Sequence, residues 1–329
     1  MKKDYTDASW LTDTAWGRWG KDDEVGALNE LTAADVVRAV SLIKKGKIYD
    51  LETERFHGQP VWHGHPGFDL VTYATPTGRR GMTDTAYDPA YAWNKKGGWL
   101  SPEVNDPQYN AGLNTELLVG PVHLGTHIDG LCHLTVGEDD HWYNGFNQRG
   151  DYGPTKTGAE TIPPIITRGV LLDIAGYKGV DHVDANYGIT IDDIIGCAEW
   201  EGVEIRKNDC VLMRLGETWP EQDKCVGAGL TLEGARYLVE EKGAVLLGND
   251  MTAFELHNAD GTMSWPGHPH PVHDYCLIRQ GVHFMELVQS HELAKDKVYE
   301  FCFVVASLKI RGATGMFIRP IYGSFYADT

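Results

Sequence analysis

The chain has 329 residues, a net charge of −18, and 42% hydrophobic and 23% charged residues, the balance of an ordinary soluble globular protein. No basic run is denser than Lys44-Lys45-Gly46-Lys47, which argues against a nucleic-acid partner, and no apolar run approaches the roughly 20 residues that span a membrane. The first sixteen residues lack the apolar core of a secretory signal, and six scattered cysteines without a C-x-x-C pair read as reduced thiols of a cytoplasmic protein.

Residues 1–50 read as an N-terminal arm followed by a helix. The arm is rich in glycine and aromatics and carries Trp16 and Trp19. Thr32 is placed to cap a helix running from Ala33 toward Ile43, Gly46 to end it, and Lys47–Leu51 to form a strand. Residues 57–120 are dominated by Gly, Pro, Asn, Asp and Tyr and read as a long loop region of the kind that builds a lid or a site wall. His63 and His65 within it read as polar loop residues.

The densest chemistry lies in His123-Leu-Gly-Thr-His127-Ile-Asp129-Gly-Leu-Cys132-His133. Imidazole and carboxylate are the usual ligands of catalytic zinc or manganese. The period of a strand places His123, Gly125, His127 and Asp129 on one face, with Gly130 turning the chain so that His133 approaches from another side. A helical reading fails, because Leu124 stands where a metalloprotease helix needs glutamate and the glycines disfavour helix. Cys132 is a weaker ligand choice than His133.

Downstream, buried strands alternate with amphipathic helices, the signature of an α/β layer. Strands are predicted at 169–175, 210–215 and 244–248, helices at 189–200 (Thr190 as N-cap) and 232–242 (Thr231 as N-cap, Gly243 as stop), and further strands at 298–308 and near 318–321. No linker divides the chain, which reads as one domain over 1–329. A second histidine group, His268-Pro-His270-Pro-Val-His273, is stiffened by its prolines, and Glu286 follows it. Asp250 ends a strand.

The 123–133 segment is similar at every fixed position to the H-x-G-T-H-x-D-x-x-x-H signature of the metal-dependent cyclase hydrolases. That family includes kynurenine formamidases, isatin hydrolases and lactone-cleaving enzymes. The Trp-Gly-x-x-Asp-x-x-Gly-Ala-Leu-Asn run beginning at Trp19 and the Tyr143-Asn-Gly turn also resemble it. The resemblance implies an α/β fold of the swivelling β/β/α type, with a central barrel-like sheet and flanking helices, and one or two divalent ions, Zn²⁺ or Mn²⁺, per subunit. It implies that a downstream histidine and Glu286 complete a second metal position bridged by Asp129. His273 fits that histidine by position, with His270 as the alternative. It also makes Trp16 and Trp19 candidates for substrate contact, against the alternative that they pack the arm onto the body, and gives Asp250 either a place near the site or a strand-end capping role.

His123, His127 and Asp129 leave a coordination position for water. His133 stands apart as general base and then acid, a role Glu286 takes instead if one ion binds. The expected activity is hydrolysis of an amide, cyclic amide or lactone of a small aromatic or unsaturated substrate, by a homodimer or homotetramer. Two other readings use the same residues. One is a cupin-like metal oxygenase or binding protein built on His268, His270, His273 and Asp274; the other is a structural ion closed by four ligands. No G-x-S-x-G elbow, phosphate loop or dinucleotide fingerprint offers a competing site.

Overall fold

The computed structural model describes residues 11–62, 64–74, 114–258 and 270–323. They form two compact units, Met1–Glu54 with Val122–Thr329, and Arg55–Pro121. His63 and His268 lie outside the described residues.

The larger unit is built on a nine-stranded sheet. Its strands are β1 (Ile48–Asp50), β2 (His127–Asp129), β3 (Ile165–Asp173), β4 (Cys210–Arg214), β5 (Leu246–Asn249), β6 (His283–Glu286), β7 (Glu300–Val305), β8 (Gly315–Phe317) and β9 (Ile321–Gly323). The spatial order is β1-β9-β7-β3-β4-β5-β6-β2-β8. Neighbours from β3 to β6 run parallel and the remaining pairs antiparallel. The parallel strands carry unbroken apolar runs such as Val170-Leu171-Leu172 and Val211-Leu212-Met213, all buried, because helices cover parallel sheets on both faces. The result is the mixed α/β, curled-sheet architecture with flanking helices that the resemblance implies.

Local signals set the helices. Thr32 and Asp35 close a capping box at the start of Ala33–Ser41, and Thr190 and Asp193 close another at Ile191–Glu201; each satisfies backbone donors that the first turn leaves unpaired. Gly202 ends the second helix in the left-handed region, φ 70°. The 232–242 segment is helical as expected, but changes from α (Leu232–Arg236) to π (Tyr237–Glu241) before Gly243.

Three local departures from the periodicity have physical causes. The strand predicted from His123 begins only at His127, because Gly125 adopts φ +58°, outside any extended conformation. The loop-like stretch contains an antiparallel strand pair, Asp69–Ala74 with Thr115–Val119, whose second strand, Thr-Glu-Leu-Leu-Val, lacks alternation. The strand predicted to run on to Ala175 stops at Asp173, whose side chain caps a short helix, Ile174–Lys178.

Gly169 on β3 lies opposite Phe301 on β7, and a Cβ there would meet the Phe301 ring at 2.0 Å. Gly169→Ala is therefore expected to cost about 1–3 kcal/mol of overpacking strain. Thermal unfolding read against the parent checks it, and an unchanged midpoint would contradict the close approach.

Candidate metal centre

Sheet order assembles the site from distant segments. In β2, His127 pairs with Glu286 of β6 on one side and Phe317 of β8 on the other, and Asp129 pairs with Gly315. The bend before β2 is pinned by Thr126. Its N–H donates to Thr53 Oγ1 (2.8 Å), its Oγ1 accepts from the Thr53 N–H (2.8 Å) and donates to the Leu287 carbonyl (2.7 Å). Leu287 holds φ +56°, a strained setting for leucine costing about 1–2 kcal/mol; its N–H donates to the Met251 carbonyl at 3.0 Å. After β2, the Gly130 N–H donates to the Thr314 carbonyl (2.8 Å) and the His133 N–H to the Gly130 carbonyl (3.0 Å), which folds His133 back over His123.

The side chains converge on two buried carboxylates. His123 Nε2 and His127 Nε2 each lie 3.5 Å from Asp129 Oδ1, and His273 Nε2 lies 3.6 Å from Asp129 Oδ2. Glu286 is 3.4 Å from His127 Nε2 and 3.5 Å from His273 Nε2. The His133 ring stacks on His123 at 3.9 Å. These separations exceed hydrogen bonds and suit donors that surround a common point. Nδ1 of His127 lies 2.7 Å from the Gly125 carbonyl oxygen and Nδ1 of His273 lies 2.6 Å from Glu255 Oε1. Both acceptors hold the ring proton on Nδ1 and leave the Nε2 lone pair toward the carboxylates.

The electrostatics demand positive charge here. Burial opposes ionisation of Asp129, yet the histidines around it outweigh burial and hold its carboxyl far below the usual range. Burial alone would make His127 and His273 less basic; the nearby Glu286 and Asp129 carboxylates, with Glu255 hydrogen-bonded to His273, reverse this and raise both. For His133 burial wins and its basicity falls. Both Asp129 oxygens and Glu286 Oε1 are buried without a hydrogen-bond partner among the described residues, an arrangement that costs several kcal/mol unless a cation compensates it. Two groups of donor atoms, His123–Asp129–His133 and Asp129–His273–Glu286, each lie within 4.8 Å of one another and share Asp129. Imidazole and carboxylate donors at this spacing fit a divalent cation.

The structure thus brings together His123, His127, Asp129, His133, His273 and Glu286. His270 belongs to a separate group with Glu255 and His273. Trp16 and Trp19 pack against the core, with indole N–H groups donating to the Ile278 carbonyl (2.6 Å) and to Glu30 (2.9 Å). Cys132 donates to the Thr157 carbonyl at 3.2 Å, and burial pushes its thiol up to about 12, so it offers no thiolate. Asp250 accepts from the Leu215 and Gly216 N–H groups, each at 2.9 Å, as a strand-end cap. The cupin-like reading fails: Asp274 is engaged by Arg279 at 2.8 Å, and the sheet has four parallel strands at its centre rather than a jelly roll.

Two contributors carry no motif. Glu255 binds His273, and Gly315 lets β8 pass beside His123, since a Cβ there would fall 2.5 Å from His123 Nε2 and 2.8 Å from the Ile128 carbonyl oxygen. A glycine in a short strand is the one available signal for such an approach.

The Cyclase family model matches residues 49–256. A crystal structure of a cyclase resembles the chain with a TM-score of 0.75 and 26% identity, covering 94% of this chain and 97% of that one. Isatin hydrolase A from Labrenzia aggregata, bound to benzyl benzoate, gives 0.56 and 18% over 84% and 93%. Isatin hydrolase A from Ralstonia solanacearum gives 0.53 and 16% over 84% and 91%. At these identities the two isatin hydrolases share the fold. The sequence matches no curated protein.

Gly315→Ala should weaken divalent-ion binding by about 10–100-fold by displacing the His123 ring. Titration against a chromogenic chelator measures it, and parent-like affinity would show that the ring does not need that space.

Proposed function

The chain belongs to the Cyclase family, and we propose that it is a metal-dependent hydrolase that opens the amide, cyclic amide or lactone bond of a small aromatic or unsaturated substrate. The observation that carries this reading is the pair of donor groups sharing the buried Asp129, whose carboxylate oxygens lack hydrogen bonds among the described residues. His123, His127 and Asp129 would hold one Zn²⁺ or Mn²⁺, and Asp129, His273 and Glu286 a second. When bound, such an ion polarises a carbonyl and acidifies water to a pKa of about 7.

The chain's own residues supply the proton handling. His133 is kept neutral by burial, so its imidazole is available as a base. It takes a proton from the water that attacks the carbonyl carbon. It returns that proton to the departing nitrogen or oxygen as the C–N or C–O bond breaks, which leaves a carboxylic acid and an amine or alcohol. His127 and His273, with Nδ1 anchored, keep fixed orientations while this happens. A second role for His133 follows from its place within 4.8 Å of His123 and Asp129 donor atoms: coordination instead of proton transfer.

The decisive experiment couples elemental analysis of the purified protein to assays on formanilides, cyclic imides and unsaturated lactones. His127→Ala should lose bound metal and at least about 100-fold in turnover together; turnover persisting in metal-free protein would sink the hydrolase reading. His133→Ala should lower kcat by about 10²–10⁴-fold with metal content unchanged, whereas loss of metal would assign it to coordination.

A further inference from the structure

Glu255 is 1% exposed and lies in the 251–258 segment that follows β5, beside Leu230 in an isolated parallel bridge. Its carboxylate faces one short segment. The Val272 N–H donates to Oε2 at 3.1 Å, the His273 N–H to Oε1 at 2.9 Å, and His273 Nδ1 meets Oε1 at 2.6 Å. Three of roughly four acceptor positions are therefore used, which makes Glu255 an acceptor for these donors rather than a ligand in its own right. Gly229 packs against the backbone that carries Glu255: a Cβ there would come to 2.6 Å from the Phe254 and Glu255 carbonyl oxygens. The His273 and Phe284 rings meet edge to face with centroids 5.0 Å apart, and Phe284 stacks on Phe254 at 4.0 Å, so the imidazole is held by a carboxylate at one nitrogen and by aromatic packing beside it.

We infer that Glu255 is the positioning residue of the downstream half-site, fixing which nitrogen of His273 coordinates; this rests on the metal-centre reading above. A carboxylate can only accept, so it keeps the single ring proton on Nδ1 and presents the Nε2 lone pair to the space between Asp129 and Glu286. Glutamine in its place weakens that preference, because neither amide orientation satisfies all three donors. An amide N–H turned toward Nδ1 requires the proton to move to Nε2, and an amide turned the other way sets its N–H₂ against the Val272 N–H. A buried charge maintained for packing alone would be unfavourable compared with an apolar residue; here the charge has a specific recipient.

The test measures Zn²⁺ and Mn²⁺ dissociation constants of the full-length protein by chelator competition. Glu255→Gln should weaken binding by about 10–100-fold, and Glu255→Asp, which keeps the accepting charge, should recover part of that loss. In a His273→Ala background the Glu255→Gln change should add nothing, because the effect passes through His273. Affinity of Glu255→Gln within about twofold of the parent, or an equal loss in both backgrounds, would overturn the assignment. If the parent binds neither ion, the hydrolase reading falls by itself, and crystals of the parent and Glu255→Gln proteins then decide the role of Glu255. A His273 ring turned away from Asp129 in the variant upholds it, and an unmoved ring overturns it.

Discussion

The site depends on one requirement: a fully buried aspartate carboxylate must be kept ionised. Asp129 is 1% exposed and both its oxygens lack hydrogen bonds among the described residues. In a protein interior such a charge survives only when opposite charge surrounds it. The surrounding imidazoles provide part of that charge as protons, and a divalent ion can provide it without them. Around Asp129, the Gly125 carbonyl, Glu255 and Thr126 each orient a ligand or the backbone that carries one.

Topology satisfies this requirement at small cost in chain. The β2 strand is only three residues long, yet it lies between β6 and β8, and this places Glu286 beside His127 and opens space at Gly315 for His123. The backbone strain at Leu287 sits next to Glu286 and is braced by hydrogen bonds to Met251 and Thr126. Strain held by surrounding bonds is a common feature of functional sites, and here it ends β6 where its carboxylate meets the two imidazoles.

The parts of this arrangement written in consecutive residues were legible in the sequence. His123, His127, Asp129 and His133 carry their chemistry within eleven positions, and Thr32 and Thr190 announce their helices as N-caps. The α/β character was legible because the parallel strands are buried on both faces and read as apolar runs. Other parts depend on pairing between distant segments and left little local signal. Periodicity extended β2 back to His123 because it does not report the backbone turn at Gly125. The choice between His270 and His273 hinges on which imidazole faces Asp129, and that follows from how the helical segment beginning at Pro271 docks against distant residues. Glu255 and Gly315 carry no motif, since one acts through a hydrogen bond to another segment and the other by leaving space.

The pairing of β2 with β8 also joins distant parts of the chain. The segment that carries the first ligands is followed only about 190 positions later by the strand that flanks it, Gly315–Phe317, and by the Thr314 carbonyl that holds Gly130. Until these dock, β2 has an open edge and the His123 ring lacks its neighbour. The donor set therefore takes its final form only when these distant strands dock, so the arrangement around Asp129 depends on the packing of this whole sheet.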